Sequence, residues 1–450
     1  MTQTSSSEAL SEFQERCGAH GVHTVEVAAP DTQGHLRGKR VPVERFFRST
    51  VETGVSIADA MFVFDIENDL PDNPFVNMDS GYLDCRLMPD VGTGRILTHR
   101  PGYAIVFADA FDPHGEPHQL APRTVLANQI AKCTERGLDP VVATELEFYL
   151  CTPEWEPVQS HIQYSSLTDA VELEDVIADM RSALIGAGMD VESSNAEYGP
   201  GQIEINIAYD DAMTCADNTV LFKSIVKQVA VQNGLRATFM PKPWTEQSGN
   251  GMHVHTSLRA DGTNAFADSD GAPNPLMSNW LGGIVEHAQA LTLLGMPTLN
   301  GPRRVRPYTF APTHVHWGLD NRTVMARCIA EPDFQGNRVE FRSAGADANA
   351  YLLIAGVLAA GADGLNREID PGPMCLGDMY TNPGETEPLP TDIAGVVAAF
   401  EGSALAAELG EMFSESYLSI ATAEVALKAE NSPDVDDVND WERARYLEHS

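Results

Sequence analysis

No apolar run approaches the roughly 18 residues that a membrane-spanning helix needs. The most hydrophobic stretch, Tyr351 to Ala360, is broken by Gly356 and soon followed by Asp363, so it reads as a buried helix. The first residues, Met1 to Glu8, are polar and serine-rich, with neither a basic region nor an apolar core; this argues against export and predicts a cytoplasmic location. Paired cysteines are missing too. All seven stand singly, without CxxC spacing, so neither a disulfide framework nor a zinc site is implied. Basic charge is scarce: 29 lysines and arginines face 65 acids, a net −36. Phosphate backbones and anionic membranes demand a basic face, so neither nucleic acid nor a membrane is an expected partner. There is no P-loop and no dinucleotide fingerprint. Any nucleotide must be held by other means.

What is present suggests two domains, since 450 residues exceed what one core usually supports. After a tail and N-terminal segment over residues 1–20, residues 21–115 alternate short β-rich runs with turn clusters. These runs are Val22–Val27, Met61–Phe64 and Tyr103–Phe107, and they predict a small, mainly β domain. Pro122 precedes the periodic stretch Thr124–Arg136, a helix start. Residues 116–450 then mix strands with helical patterns at Leu167–Ala187, Asn218–Asn233, Asn279–Leu294, Asn349–Leu365, Ile393–Leu409 and Ser416–Ala429. Val438–Leu447 reads as a terminal docking helix and Cys375–Pro390 as a surface loop. The class is α+β.

Four β-type runs carry functional side chains at alternate positions, which places those side chains on one face. Thr144-Glu145-Leu146-Glu147-Phe148 sets two carboxylates against two hydrophobes, and Met252-His253-Val254-His255 does the same with two imidazoles. Arg338-Val339-Glu340-Phe341-Arg342 and Gln202-Ile203-Glu204-Ile205-Asn206 complete the set. Adjacent carboxylates repel unless a cation neutralises them. Oxygen donors with one or two imidazoles, Glu197 included, suit Mg²⁺ or Mn²⁺ rather than zinc. Between Arg303 and Arg342 seven arginines face four acids, a cationic window in an acidic chain. Arginine grips carboxylate and phosphate in two-pronged fashion. Together these features predict a metal- and arginine-dependent enzyme of phosphoryl transfer.

In order and spacing these segments resemble the motifs of the glutamine synthetase family, in its type I-like branch. The resemblance rests on Glu145-Leu-Glu147-Phe148, on Glu197-Tyr-Gly-Pro-Gly201-Gln202-Ile-Glu204, and on Met240-Pro-Lys-Pro-Trp244 followed by Gly249-Asn-Gly-Met-His253-Val-His255-Thr-Ser257. It continues through Asn300 to Arg304, Asn321-Arg322 to Arg327, and Arg338 to Arg342, and it spans residue 22 to the C-terminus. It implies a β-grasp domain followed by a catalytic domain whose curved antiparallel sheet lines the active site. It also implies hexameric rings or dodecamers with sites at subunit junctions. By the resemblance, Glu147, Glu197 and Glu204 hold one cation, and Glu145, His253 and Glu340 another, so two or more cations bind per site. Gly249, Arg304, Arg322 and Arg342 bind glutamate. Glu192, His255, Ser257, Arg322 and Arg327 contact ATP, and Arg322, Arg342 and Glu197 serve the chemistry.

The family pattern is broken on the acceptor side. Ammonia-using members carry a carboxylate six residues after the arginine matching Arg304; here that position is Phe310. The acid of the neighbouring subunit's β-grasp loop falls near Ala58, with Asp59 one step away. Tyr164 matches the acceptor-side tyrosine. Losing an anion and gaining an apolar ring predicts a primary amine, preferably a monoamine, and a glutamate–amine ligase resembling the γ-glutamyl-amine ligases. Rival readings are an ammonia-using glutamine synthetase, a γ-glutamylpolyamine synthetase and a non-catalytic ring scaffold. Ser248 replaces an asparagine common near the glutamate amino group, and Tyr380 lacks the context of the tyrosine adenylylated in some members.

Overall fold

The computed structural model describes residues 6–159, 164–167, 171–267, 271–332, 334–433 and 437–450. Its N-terminal sheet has six strands, ordered Leu36–Pro42, Thr24–Pro30, Tyr103–Phe111, Asp84–Pro89 and Val55–Ala58, with Arg95–Ile96 also pairing on Tyr103–Phe111. The central pair, Thr24–Pro30 and Tyr103–Phe111, is parallel and the remaining pairs are antiparallel, a β-grasp arrangement. Val25, Val27, Ala104 and Val106 are buried. In the N-terminal segment a helix, Ser6–Ala19, seats Phe13 against Phe46 and Phe47 at ring separations of 6.0 and 5.8 Å. Met61–Phe64, expected as a strand, lies instead in and just after a 3₁₀ turn at Asp59–Phe62. Ala60 to Val63 are all buried, and a short run buried on every side has no periodicity to separate strand from helix.

The second sheet has ten strands. Its main path runs Trp317–Leu319, Ala326–Ile329, Arg338–Phe341, Met252–Ala260, Asp139–Cys151, Gln202–Ile207 and Val191–Ala196. Neighbours are antiparallel except Trp317–Leu319 with Ala326–Ile329. Hydrophobes from this curved sheet join one buried cluster with those of helices Pro122–Thr134, Val171–Gly186, Ala212–Gln232, Pro275–Glu286 and Ala350–Arg367. Pro122 occupies the first turn of its helix, where a missing N–H costs nothing. Asn349 caps Ala350–Arg367 through Tyr351 N at 3.0 Å, and its amide also donates to Asp31 O at 2.9 Å. That one side chain both starts a helix and ties it to the N-terminal sheet.

Two long helical patterns prove to be pairs. Asn279–Leu294 belongs to Pro275–Glu286 and Ala288–Gly295, which meet at His287. Ile393–Leu409 is Ile393–Phe400 and Ala404–Leu409, parted at Gly402 with φ +67 and restarted by Ser403 Oγ accepting from Ala406 N at 3.1 Å. The first part of the Leu167–Ala187 pattern falls partly outside the described residues, and its helix is assigned from Val171. The terminal helix Asp440–Tyr446 docks with Glu442, Arg445 and Tyr446 buried.

Candidate active site

Strand register decides which side chains meet. Glu145 stands opposite His253 on one side and Asn206 on the other, and Glu147 stands opposite Glu204. His255 faces Glu340, which in turn faces Arg327. Leu146, Phe148, Ile203, Ile205, Met252, Val254, Val339 and Phe341 point the other way and are fully or almost fully buried. Burial of that apolar face fixes the register, because a one-residue slip would turn every hydrophobe towards the cavity.

Glu147, Glu197 and Glu204 bring carboxylate oxygens within 4.8 Å of one another. Burial, then repulsion by Glu147, pushes the Glu197 carboxyl up to about 7 and that of Glu204 to about 8. Each acid is also oriented. Gly251 N donates to Glu147 Oε2 at 2.7 Å, Asn195 Nδ2 to Glu197 Oε1 at 2.9 Å, and Asn206 Nδ2 to Glu204 Oε1 at 2.9 Å. The arrangement fits a hard divalent cation, whose charge relieves the repulsion.

A second cluster forms around Glu145 and Glu340. His253 Nδ1 lies 3.2 Å from Glu145 Oε2 and 3.4 Å from Glu340 Oε1, while His255 Nε2 lies 2.9 Å from Glu145 Oε1 and 3.9 Å from Glu340 Oε1. Burial opposes ionisation of both acids, but the adjoining imidazoles, that of His255 foremost, and for Glu340 also Arg342, outweigh it. Glu340 falls to about 2 and Glu145 well below its usual range. Glu145, His255 and Glu340 bring one ligand atom each within 4.8 Å of one another. Arg338 Nε donates to His255 Nδ1 at 3.1 Å, and His253 Nδ1 pairs with Glu145 Oε2 at 3.2 Å.

A cavity of about 410 Å³ is lined by both clusters together with Ser248, Gly249, Arg304, Arg322, Arg327, Arg342, Tyr164, Tyr198 and Phe310. Arg304 is buried, with Nη1 donating to Ala344 O at 2.6 Å and Nε unpartnered. A Cβ added to Gly251 would stand 2.7 Å from Arg304 Nη2, and one on Gly249 2.9 Å from Arg304 Cγ. The Pro241 carbonyl oxygen, 2.7 Å from a Cβ on Gly249, leaves no room for a side chain there, and at Gly251 the buried guanidinium of Arg304 would have to shift. Arg342 Nη1 donates to Glu340 Oε1 at 2.5 Å and Arg327 Nη1 to Glu340 Oε2 at 3.1 Å, while Arg322 is exposed.

A second cavity, also about 410 Å³, is lined by Glu192, His255, Ser257, Tyr209, Phe334 and Arg338 among others, and shares Glu145 and Asn206 with the first. Of the residues expected to contact ATP, Glu192, His255 and Ser257 line this second cavity and Arg322 and Arg327 the first. Ala58 and Asp59 line neither cavity within one chain; they were expected from a neighbouring subunit. Tyr380 donates to Ala311 O at 3.2 Å and packs on Tyr308, bracing the loop that carries Phe310. No sequence pattern singles out Tyr198, Tyr209 or Phe334. Each is one ring in a turn or loop, where periodicity carries no signal.

Residues 119–446 match the family model described as the glutamine synthetase catalytic domain. The chain belongs to the glutamine synthetase family. Across 446 residues it is 34% identical to a glutamate–isopropylamine ligase of a Pseudomonas species, covering 95% of this chain and 96% of that one. It is 33% identical to a γ-glutamylethanolamide synthetase of Streptomyces coelicolor, over 98% of this chain and 96% of the relative. A solved GmaS–ADP complex superposes with a TM-score of 0.82 at 29% identity, covering 96% of this chain and 98% of that one. The family is one of ATP-dependent ligases. The two cavities adjoin at Glu145 and Asn206.

Proposed function

We propose that this chain is an ATP-dependent γ-glutamyl-amine ligase that activates glutamate as γ-glutamyl phosphate and couples it to a primary amine, preferably a monoamine. One observation carries the reading. Two acidic clusters and the Arg304–Arg342 pair line one cavity, and its flap bears Phe310 where an ammonium-holding acid would otherwise stand. The names of the two relatives, with isopropylamine and ethanolamide as their amine parts, support a small amine.

In this reading Glu147, Glu197 and Glu204 hold one Mg²⁺ or Mn²⁺, and Glu145, His253 and Glu340 the other. Bound there, the cations neutralise phosphate charge. Glu192, His255, Ser257 and Arg327 hold ATP, while Gly249, Arg304, Arg322 and Arg342 hold glutamate. The γ-carboxylate of glutamate attacks the terminal phosphorus and ADP leaves, with Arg322 and Arg342 spreading the developing charge. Glu197, beside the acceptor, takes the proton from the incoming amine, whose nitrogen attacks the acyl carbon and expels phosphate. A ring of subunits, one hexamer or two, brings Ala58 and Asp59 of one protomer to the acceptor side of the next. Asp59 is buried with Oδ1 unpartnered, and burial raises its carboxyl to about 6. A domain boundary near residue 115 and a cytoplasmic location complete the proposal. Among the described residues no helix is long and apolar enough to cross a membrane.

The test is phosphate release with glutamate, ATP and Mg²⁺ across ammonium and mono-, di- and polyamines. A preferred monoamine supports the reading. Ammonium matching or exceeding every amine in kcat/KM makes the protein a glutamine synthetase proper, a preferred polyamine makes it a polyamine ligase, and silence throughout points to a scaffold.

A further inference from the structure

Three half-exposed aromatic rings stand in a row in the cavity. Tyr198 is the middle one, 5.7 Å from the Tyr164 ring centroid and 6.0 Å from that of Phe310. The three are exposed by 58% (Tyr164), 50% (Tyr198) and 52% (Phe310), and all line the cavity that holds both acidic clusters. Aromatic rings usually bury most of their surface, so a contiguous bare patch marks a place that something covers.

The placement of the row is enforced. Phe310 has φ +58, a costly conformation for a residue with a bulky side chain. It is held by Thr309 Oγ1 donating to Arg306 O at 2.8 Å and Arg304 O at 3.1 Å. Tyr198 follows Glu197 directly, so its ring borders the cluster at which the second step would occur. Within one chain, and among the described residues, the carboxylates lining the cavity all belong to the two clusters. Aromatic faces can attract one ammonium as it enters and then cover its carbon substituent.

We infer that Tyr198 is a specificity residue. With Tyr164 and Phe310 it forms an aromatic wall that selects a primary amine with a short uncharged substituent over a diamine, and its ring sets how large that substituent can be. The inference rests on the ligase reading above.

The experiment measures kcat/KM by phosphate release for ammonium, methylamine, isopropylamine, benzylamine and putrescine. The enzymes are wild type, Tyr198→Ala, Tyr198→Phe and Phe310→Ala. Wild type should favour the short monoamines over putrescine by about 10-fold or more, the scale on which apolar pockets discriminate. Tyr198→Ala should raise the benzylamine-to-isopropylamine ratio by about 10-fold, Phe310→Ala should move it the same way, and Tyr198→Phe should keep it within about 3-fold. If Tyr198→Ala lowers every amine by one common factor, the ring merely props the Glu197 turn and the inference fails. Putrescine as the best wild-type substrate also overturns it. Use of ammonium alone removes the ligase reading and the wall together, whereas amine turnover with unmoved ratios removes the wall only.

Discussion

Phe310 and the glutamate pair Glu197–Glu204 bring opposite chemistry to one cavity. At Phe310 an apolar ring fills a position where an anion would stabilise ammonium. Replacing it by glutamate is expected to shift the ammonium-to-monoamine ratio of kcat/KM towards ammonium by about 10-fold or more, since one well-placed charge contributes about 1.5–3 kcal/mol. At Glu197 and Glu204 burial holds protons that an unfolded chain would release near 4.5. The folded, metal-free protein therefore binds more protons than the unfolded chain up to about 7 for Glu197 and about 8 for Glu204. The stability these two carboxyls contribute is fully present below 4.5 and is lost as pH rises through about 7 and about 8. Thermal unfolding in EDTA should show a falling Tm from pH 6 to 8.5, less steep in Glu204→Gln, and added Mg²⁺ should raise Tm more at pH 8 than at pH 6. An equal Mg²⁺ effect at both pH values would count against these carboxylates as the ligands.

At the scale of the element, the Met252–Ala260 strand works because its lead-in is glycine. Gly251→Ala places a Cβ 2.7 Å from Arg304 Nη2, so the guanidinium must move. The expected result is a rise in glutamate KM of about 10- to 100-fold, the equivalent of one charge-assisted hydrogen bond, with a smaller change in ATP KM. Steady-state kinetics in both substrates checks it. The strands themselves were legible in the sequence, since Glu145-Leu146-Glu147 and His253-Val254-His255 alternate as a half-buried strand must. The broken helices were less so. The apolar periodicity of Asn279–Leu294 continues across His287, and only the turn there, with His287 Nε2 2.8 Å from Asp363 Oδ2, shows where one helix ends and the next begins.

Across the whole molecule, the C-terminal helix holds the site from behind. Glu442, fully buried, accepts from Arg303 Nη2 at 2.5 Å, from Asn300 Nδ2 at 2.9 Å and from Ser432 Oγ at 2.6 Å. Asn300 in turn accepts from Lys242 N at 2.7 Å, so a helix at the far end of the chain fixes the turn that carries Arg304. Arg445 on the same helix reaches Asp65 at 2.8 Å and Glu424 at 2.5 Å, joining the N-terminal sheet's loop to the body. Glu442→Ala leaves Arg303 buried and unpaired and is expected to cost about 3–5 kcal/mol, with a raised glutamate KM. Glu442→Gln, which keeps the hydrogen-bonding shape, should lose less. Denaturant unfolding alongside kinetics separates the two effects.

The sequence by itself determined the α+β class and the alternating charged strands, and pointed to metal- and arginine-dependent chemistry, because strand alternation and charge pairing are local properties. Which imidazole Arg338 contacts, which rings lie side by side, and how the last helix braces Arg304 were decided only by tertiary structure. Those facts depend on hydrogen bonds and contacts between residues tens to hundreds of positions apart, and no spacing along the chain encodes them.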